Sequence, residues 1–140
     1  MKFAAANTKL KKLYKLAKTV LAQWLDRKIG RSMAKIYSFD ILSGIDCPFA
    51  FNCKSQAEVQ EDGSRRIKDG PDTKFRCFSA SQEVLFTNVY NSRKRNHDAI
   101  HECETSDDMA DALCNALPKN AGVIRIHVSG DMFSNNYFLA

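Results

Sequence analysis

Lys35-Ile36-Tyr37-Ser38-Phe39-Asp40-Ile41-Leu42-Ser43 decides how this chain is read. Tyr37, Phe39 and Ile41 alternate with Ser38 and Asp40, the two-residue period of a β-strand. A second run, Val123-Ile124-Arg125-Ile126-His127-Val128, is a strand by the same chemistry and ends on Ser129-Gly130-Asp131. Roughly eighty residues separate the two, and helical patterns fill the interval. Strands so far apart, with helices between them, predict a parallel α/β arrangement. A right-handed crossover then brings the ends of both strands to one edge, where open sheets and α/β barrels build their sites.

The flanking segments fit that frame. Leu10, Leu13, Tyr14, Ala17, Val20, Leu21, Trp24, Leu25 and Ile29 recur at steps of three and four, predicting an amphipathic helix over 8–30 that stops at Gly30. Ser79 or Ser81 can cap a helix running to about Cys103, with Leu85, Val89, Asn96 and Ile100 on one face. Thr105-Ser106-Asp107-Asp108 opens another, with Met109, Leu113, Ala116 and Leu117 as its buried stripe and Pro118 to Gly122 as its stop. Ser134-Asn135-Asn136 reads as the cap of a further helix, yet the sequence ends at Ala140. The expectation is an α/β chain with two parts: a basic N-terminal amphipathic helix over 1–34, then a partial, barrel-like parallel domain over 35–140. It reads as the first part of a longer domain.

With 140 residues, 44% hydrophobic and 26% charged, the chain is a single globular domain in size and is not disordered in composition. No apolar run is long enough to be a transmembrane segment. The net charge of +5 is unevenly distributed: residues 1–36 carry a balance of +9 and residues 37–140 one of −4. Basicity therefore belongs to the first segment. Its lysines and arginines over 9–31 make an anionic partner, nucleic acid or membrane surface, one reading; a helix docked on the domain with a solvated outer face is the other. Five cysteines, an odd number, without a secretory signal point to a reducing compartment and a cytoplasmic location.

Three groups of residues could carry chemistry. Cys47 and Cys53 share one loop with Pro48, and Cys77 follows after 23 residues, eleven of them charged. Turn chemistry at Asp62-Gly63 and Asp69-Gly70-Pro71 makes residues 54–76 a polar excursion, possible as a short hairpin, that returns the chain to where it left. Three thiolates gathered in this way can hold an iron–sulfur cluster or part of a zinc site. Buried thiols with no metal remain the alternative. Ser129-Gly130-Asp131, at the carboxyl end of a strand, suits a ligand-contacting carboxylate, or is a plain turn. His97 and His101 lie one helical turn apart with Cys103 beyond, and could share a metal. The polar run Arg93-Lys94-Arg95-Asn96 beside them reads instead as an exposed helix end. His127 can face the site or the core. No phosphate-binding glycine loop and no Gly-x-Ser-x-Gly elbow is present.

Cys47-Pro48 through Cys53, then Cys77-Phe78-x-Ala80, then Ile124-Arg125-Ile126-His127-x-Ser129-Gly130-Asp131-x-Phe133-Ser134, resembles the phage gene product 88 family over residues 35–140. That resemblance carries no activity with it. The motif order is also similar to the opening third of radical S-adenosylmethionine enzymes. By that resemblance Cys47, Cys53 and Cys77 would hold a [4Fe–4S] cluster with one iron open to S-adenosylmethionine. Ser129, Gly130 and Asp131 would receive the cofactor's amino group. The sequence departs from that pattern in the excursion between the second and third cysteines, and in Arg76, where an aromatic residue is usual. Zinc at the cysteines, with His97, His101 or Cys103 as further ligands, and a metal-free interaction module are the other implied readings.

Overall fold

The computed structural model describes residues 1–5, 8–9, 11–12 and 35–140. Thr8, Lys9, Lys11 and Lys12 are helical, and the rest of the helix expected over 8–30 lies outside the described residues. The expected parallel pair is present. Strand β2 (Lys35–Phe39) runs parallel to β5 (Ala121–Ile126), with Tyr37 opposite Ile124 and Phe39 opposite Ile126. Two short pairings extend it past the strand ends, His127 N–H to the Phe39 carbonyl at 2.9 Å and Ile41 N–H to the Ser129 carbonyl at 3.2 Å.

A third strand carried no sequence signal. Ala4–Ala5 form β1, antiparallel to β2, so that β2 is central in the order β1-β2-β5. β2 is paired along both edges, and Ile36, Ser38 and Phe39 on its two faces are all buried. Phe3 brings the N-terminus into the core, its ring 5.1 Å from that of Phe39. Buried Asn96 fastens this edge: its Oδ1 accepts the Lys2 N–H at 2.7 Å, and its amide donates to the carbonyls of Lys2 and Asp40.

The polar excursion is a β-hairpin. β3 (Ser55–Val59) pairs antiparallel with β4 (Arg65–Asp69), Ser55 facing Asp69, and Gly63 takes the left-handed turn position at φ +77°. Lys74 and Phe75 then donate their N–H groups to the Asn52 carbonyl, and the Cys77 N–H reaches Ser55 Oγ at 3.3 Å.

The single helix expected from Ser79 to Cys103 is two helices. α1 (Phe78–Leu85) ends at Phe86, which is extended at φ −119° and ψ 104°, and α2 (Thr87–His101) begins directly after it. Phe86-Thr87-Asn88-Val89 are four weak helix formers in a row, so the break costs little locally. Arg65 stabilises it from the hairpin, donating to the Glu83 carbonyl at 2.9 Å and to Thr87 Oγ1 at 2.7 Å. Leu85, expected to share a face with Asn96 and Ile100, is consequently exposed, while those two are buried. α3 (Ser106–Ala116) starts in the capping box formed by Thr105 and Asp108, and α4 (Asn135–Leu139) under a Ser134 hydroxyl that accepts the Tyr137 N–H. Among the described residues, no helix is long and apolar enough to cross a membrane.

The fold turns back on itself around one buried ion pair. Glu83 on α1 is 0% exposed and Arg93 on α2 is 5% exposed, and their side chains meet at 3.0 Å. The Glu83 carboxylate also accepts the Ser43 N–H, the Ser43 hydroxyl at 2.7 Å and the Ser129 hydroxyl at 3.1 Å. Both strand exits and both helices thus converge on one side chain. Glu83→Gln keeps the shape but leaves the Arg93 guanidinium without its counter-charge, a change expected to cost about 3–5 kcal/mol. Urea unfolding followed by circular dichroism should show a lower midpoint at unchanged slope, and a loss below about 1 kcal/mol would contradict this role.

Candidate metal-binding edge

The carboxyl ends of β2 and β5 open onto the edge where the sequence located its candidate chemistry. Leaving β2, the chain turns at Gly44, whose φ of +71° admits few other residues. A Cβ there would lie 2.5 Å from the Ser55 carbonyl, so the hairpin base presses directly on this turn. Leaving β5, Gly130 at φ +80° packs its backbone on Ile41 so closely that a Cβ would run into that side chain. The two turns are bonded to each other, the Asp131 N–H donating to the Asp46 carbonyl at 2.8 Å.

Asp46, which the sequence did not single out, occupies the centre of the edge. Its side chain is 0% exposed. Oδ2 accepts the Leu42 N–H at 3.0 Å, fixing the carboxylate, and His97 Nδ1 lies 2.8 and 2.9 Å from its two oxygens. His101 Nε2 lies 2.9 Å from Oδ1. His101, the last residue of α2, is exposed, as the polar neighbours of the pair suggested, while His97 is half-buried; both nevertheless face the buried carboxylate. The four-residue spacing on α2 brings the rings together, centroids 4.2 Å apart and tilted by 44°, and turns both toward Asp46. Cys103 does not join them; its thiol donates to the Ala99 carbonyl.

An aromatic ladder leads away from the pair of histidines. His101 stacks on Phe133 at 4.3 Å, Phe133 stacks on Tyr137 at 4.8 Å, and the Tyr137 hydroxyl is 3.2 Å from His127 Nε2. Burial pushes the Tyr137 hydroxyl pKa upward. His127 adopts φ +60°, unusual for a non-glycine residue, and its Nδ1 is buried without a hydrogen-bond partner.

The three loop thiols are half-buried and free. Cys47 is pushed above the ordinary thiol range chiefly by burial, opposed by a Gly44 backbone hydrogen bond and reinforced by the nearby Cys77, Asp131 and Asp46. Cys53 is raised by burial and then by Cys77. Cys77 contributes to both shifts, its segment returned to that of Cys53 by the closed base of the hairpin. It also occupies the N-cap of α1, the positive end of a helix dipole. Ser129 is buried with its hydroxyl on Glu83, whereas Asp131 is exposed and accepts the Met132 N–H at 2.8 Å. Cys114 is exposed on α3, away from these groups.

The family sequence model described as gene product 88 matches residues 1–140. No curated protein matches the chain, and no solved structure matches it.

His127 gives the edge an acid-sensitive component. Burial lowers its pKa, outweighing the opposing effects of the nearby Ser129 backbone and of Asp131, Asp40 and Asp46. The unfolded chain then takes up a proton below about pH 6.5 that the folded chain resists, so this contribution is complete above that pH and declines as pH falls below it. His127→Asn tolerates the left-handed backbone and removes the titration. Between pH 7 and pH 5 the variant's stability should fall less steeply than that of the parent; parallel curves would overturn the assignment.

Proposed function

The chain belongs to the gene product 88 family, and from that premise we propose that it binds an iron–sulfur cluster through Cys47, Cys53 and Cys77. What supports this reading is the hydrogen bonding that closes the hairpin base between Cys53 and Cys77: Lys74 and Phe75 donate to the Asn52 carbonyl, and the Cys77 N–H donates to Ser55 Oγ. The donor chemistry fits the group. Thiolates are the ligands of such clusters, and three of them leave one iron of a [4Fe–4S] cluster without a protein ligand. The surroundings favour a cation too: besides burial, Cys77, Asp131 and Asp46 all raise the Cys47 pKa, and a bound metal would offset that repulsion.

A cluster with an open iron supplies one-electron chemistry to a ligand bound there. The chain's own part is to hold that ligand beside the thiols. The motif order resembling radical S-adenosylmethionine enzymes makes S-adenosylmethionine the candidate, with Asp131 accepting hydrogen bonds from its ammonium group. Gly130, lacking a side chain, lets the ligand approach the backbone. Ser129 keeps the turn in place through Glu83 and contributes by positioning. The −4 balance of residues 37–140 gives little support to a broad nucleic-acid footprint on this domain.

Anaerobic reconstitution with ferrous iron and sulfide tests the reading. The protein should turn brown, with iron and sulfide in equal amounts. Cys47→Ser, Cys53→Ser and Cys77→Ser should each lose most of the iron, while Cys103→Ser and Cys114→Ser keep it. A colourless, iron-free protein after reconstitution would end the proposal, and zinc retained at the same cysteines would replace it with a structural site. Once the cluster is loaded, Asp131→Asn should weaken S-adenosylmethionine binding about 10- to 100-fold by calorimetry. That is the loss expected for one charge-assisted hydrogen bond of about 1.5–3 kcal/mol.

A further inference from the structure

We propose that Asp46, His97 and His101 form a second site, for a single divalent transition-metal ion such as zinc or ferrous iron, separate from the thiols. The three ligand atoms lie within 4.8 Å of one another. First-row metals bind imidazole nitrogen and carboxylate oxygen at about 2.0–2.2 Å, so neighbouring ligands stand about 3 Å apart around an octahedral ion and about 3.4 Å apart around a tetrahedral one. The separations of 2.8 Å from His97 Nδ1 and 2.9 Å from His101 Nε2 to Asp46 Oδ1 are close to the octahedral edge. An ion can therefore replace the hydrogen bonds with small side-chain adjustments.

The ligands are held in advance. The Leu42 N–H fixes the Asp46 carboxylate, the Asp131 N–H fixes its backbone, and Phe133 covers the His101 ring at an interplanar angle of 15°. Outer contacts of this kind set the orientation and affinity of metal ligands. Charge points the same way. Asp46 is a fully buried carboxylate, and among the described residues its ion-pair partners are the two imidazoles, with no lysine or arginine bonded to it. Two imidazoles and one carboxylate favour zinc, iron or cobalt over magnesium or calcium, which prefer all-oxygen shells. The His101 side chain is 41% exposed and that of His97 19% exposed, so the ion's remaining positions open toward solvent. The site is thus built for an exchangeable ligand as well as for the metal.

This inference does not rest on the cluster reading, and cobalt(II) separates the two. The chain carrying Cys47→Ser, Cys53→Ser and Cys77→Ser is titrated with cobalt(II) and then with zinc(II). One ion should bind per chain, with the visible bands of nitrogen and oxygen coordination and without the intense near-ultraviolet absorption of cobalt–thiolate bonds. Zinc should displace it. His97→Ala and His101→Ala should each weaken binding at least about 100-fold, beyond the range seen for outer-shell losses, whereas Cys103→Ser leaves it unchanged. Circular dichroism checks the fold of each variant. If the histidine variants do not fold, titration of the otherwise native chain decides, because the spectrum alone distinguishes imidazole from thiolate ligands. Absence of uptake, uptake indifferent to both histidines in folded variants, or a purely thiolate spectrum would overturn the proposal and leave Asp46 as a hydrogen-bonded structural carboxylate.

Discussion

Everything at the sheet edge depends on the Glu83 carboxylate. It receives Arg93 from α2, Ser43 from the exit of β2 and Ser129 from the exit of β5, all of them buried. A buried charge is costly unless its partners are complete, and here four donors complete it. The consequence is geometric. The turn after β2, the turn after β5 and the α1–α2 corner cannot move independently, because each holds one of the same two oxygens. Arg93 extends the constraint by donating to the Ser79 carbonyl, and Ser79 in turn donates to the carbonyl of Val128. The residues proposed to bind metals are thus carried on turns whose relative positions are already set.

Asp46 repeats this arrangement one turn further along the chain. It joins the β2 exit to α2 through two histidines, and to the β5 exit through its own carbonyl. Both carboxylates are fully buried and both lie between the same elements, but their partners differ in kind. Glu83 is paired with a guanidinium, which offers donors and no acceptor for a metal. Asp46 faces imidazoles, whose ring nitrogens are metal ligands as well as hydrogen-bond partners. One node fixes the architecture; the other has adaptable chemistry.

What the sequence made legible follows from the range of each signal. The β2 and β5 runs, the Thr105 capping box, the Ser134 cap and the return of the 54–76 excursion are all written in neighbouring residues, and the structure contains them. The helix break at Phe86 was legible only in part, since weak helix formers permit a break without requiring one. The rest depends on partners far apart in the chain. Ala4–Ala5 become a strand because β2 offers an edge, and nothing in two alanines announces that. Glu83 meets Ser43 across 40 residues and Asp46 meets His97 across 51. The helical spacing of His97 and His101 was visible, but the carboxylate that gives it meaning lies in a loop already read for its cysteines.

The hairpin base has a further consequence. Ser55 faces Asp69, the Gly70 N–H bonds the Lys54 carbonyl at 2.7 Å, and Cys77 follows directly on this seam. The distance between the second and third thiols is therefore set across the base and is independent of how many residues run out to the tip and back. Lengthening or shortening the hairpin in steps of paired residues would leave the thiols where they are, and closure entropy would change only slowly. Counting residues between cysteines, the usual way of recognising metal-binding motifs, loses its meaning in such an arrangement. The relevant spacing is the width of a β-ladder.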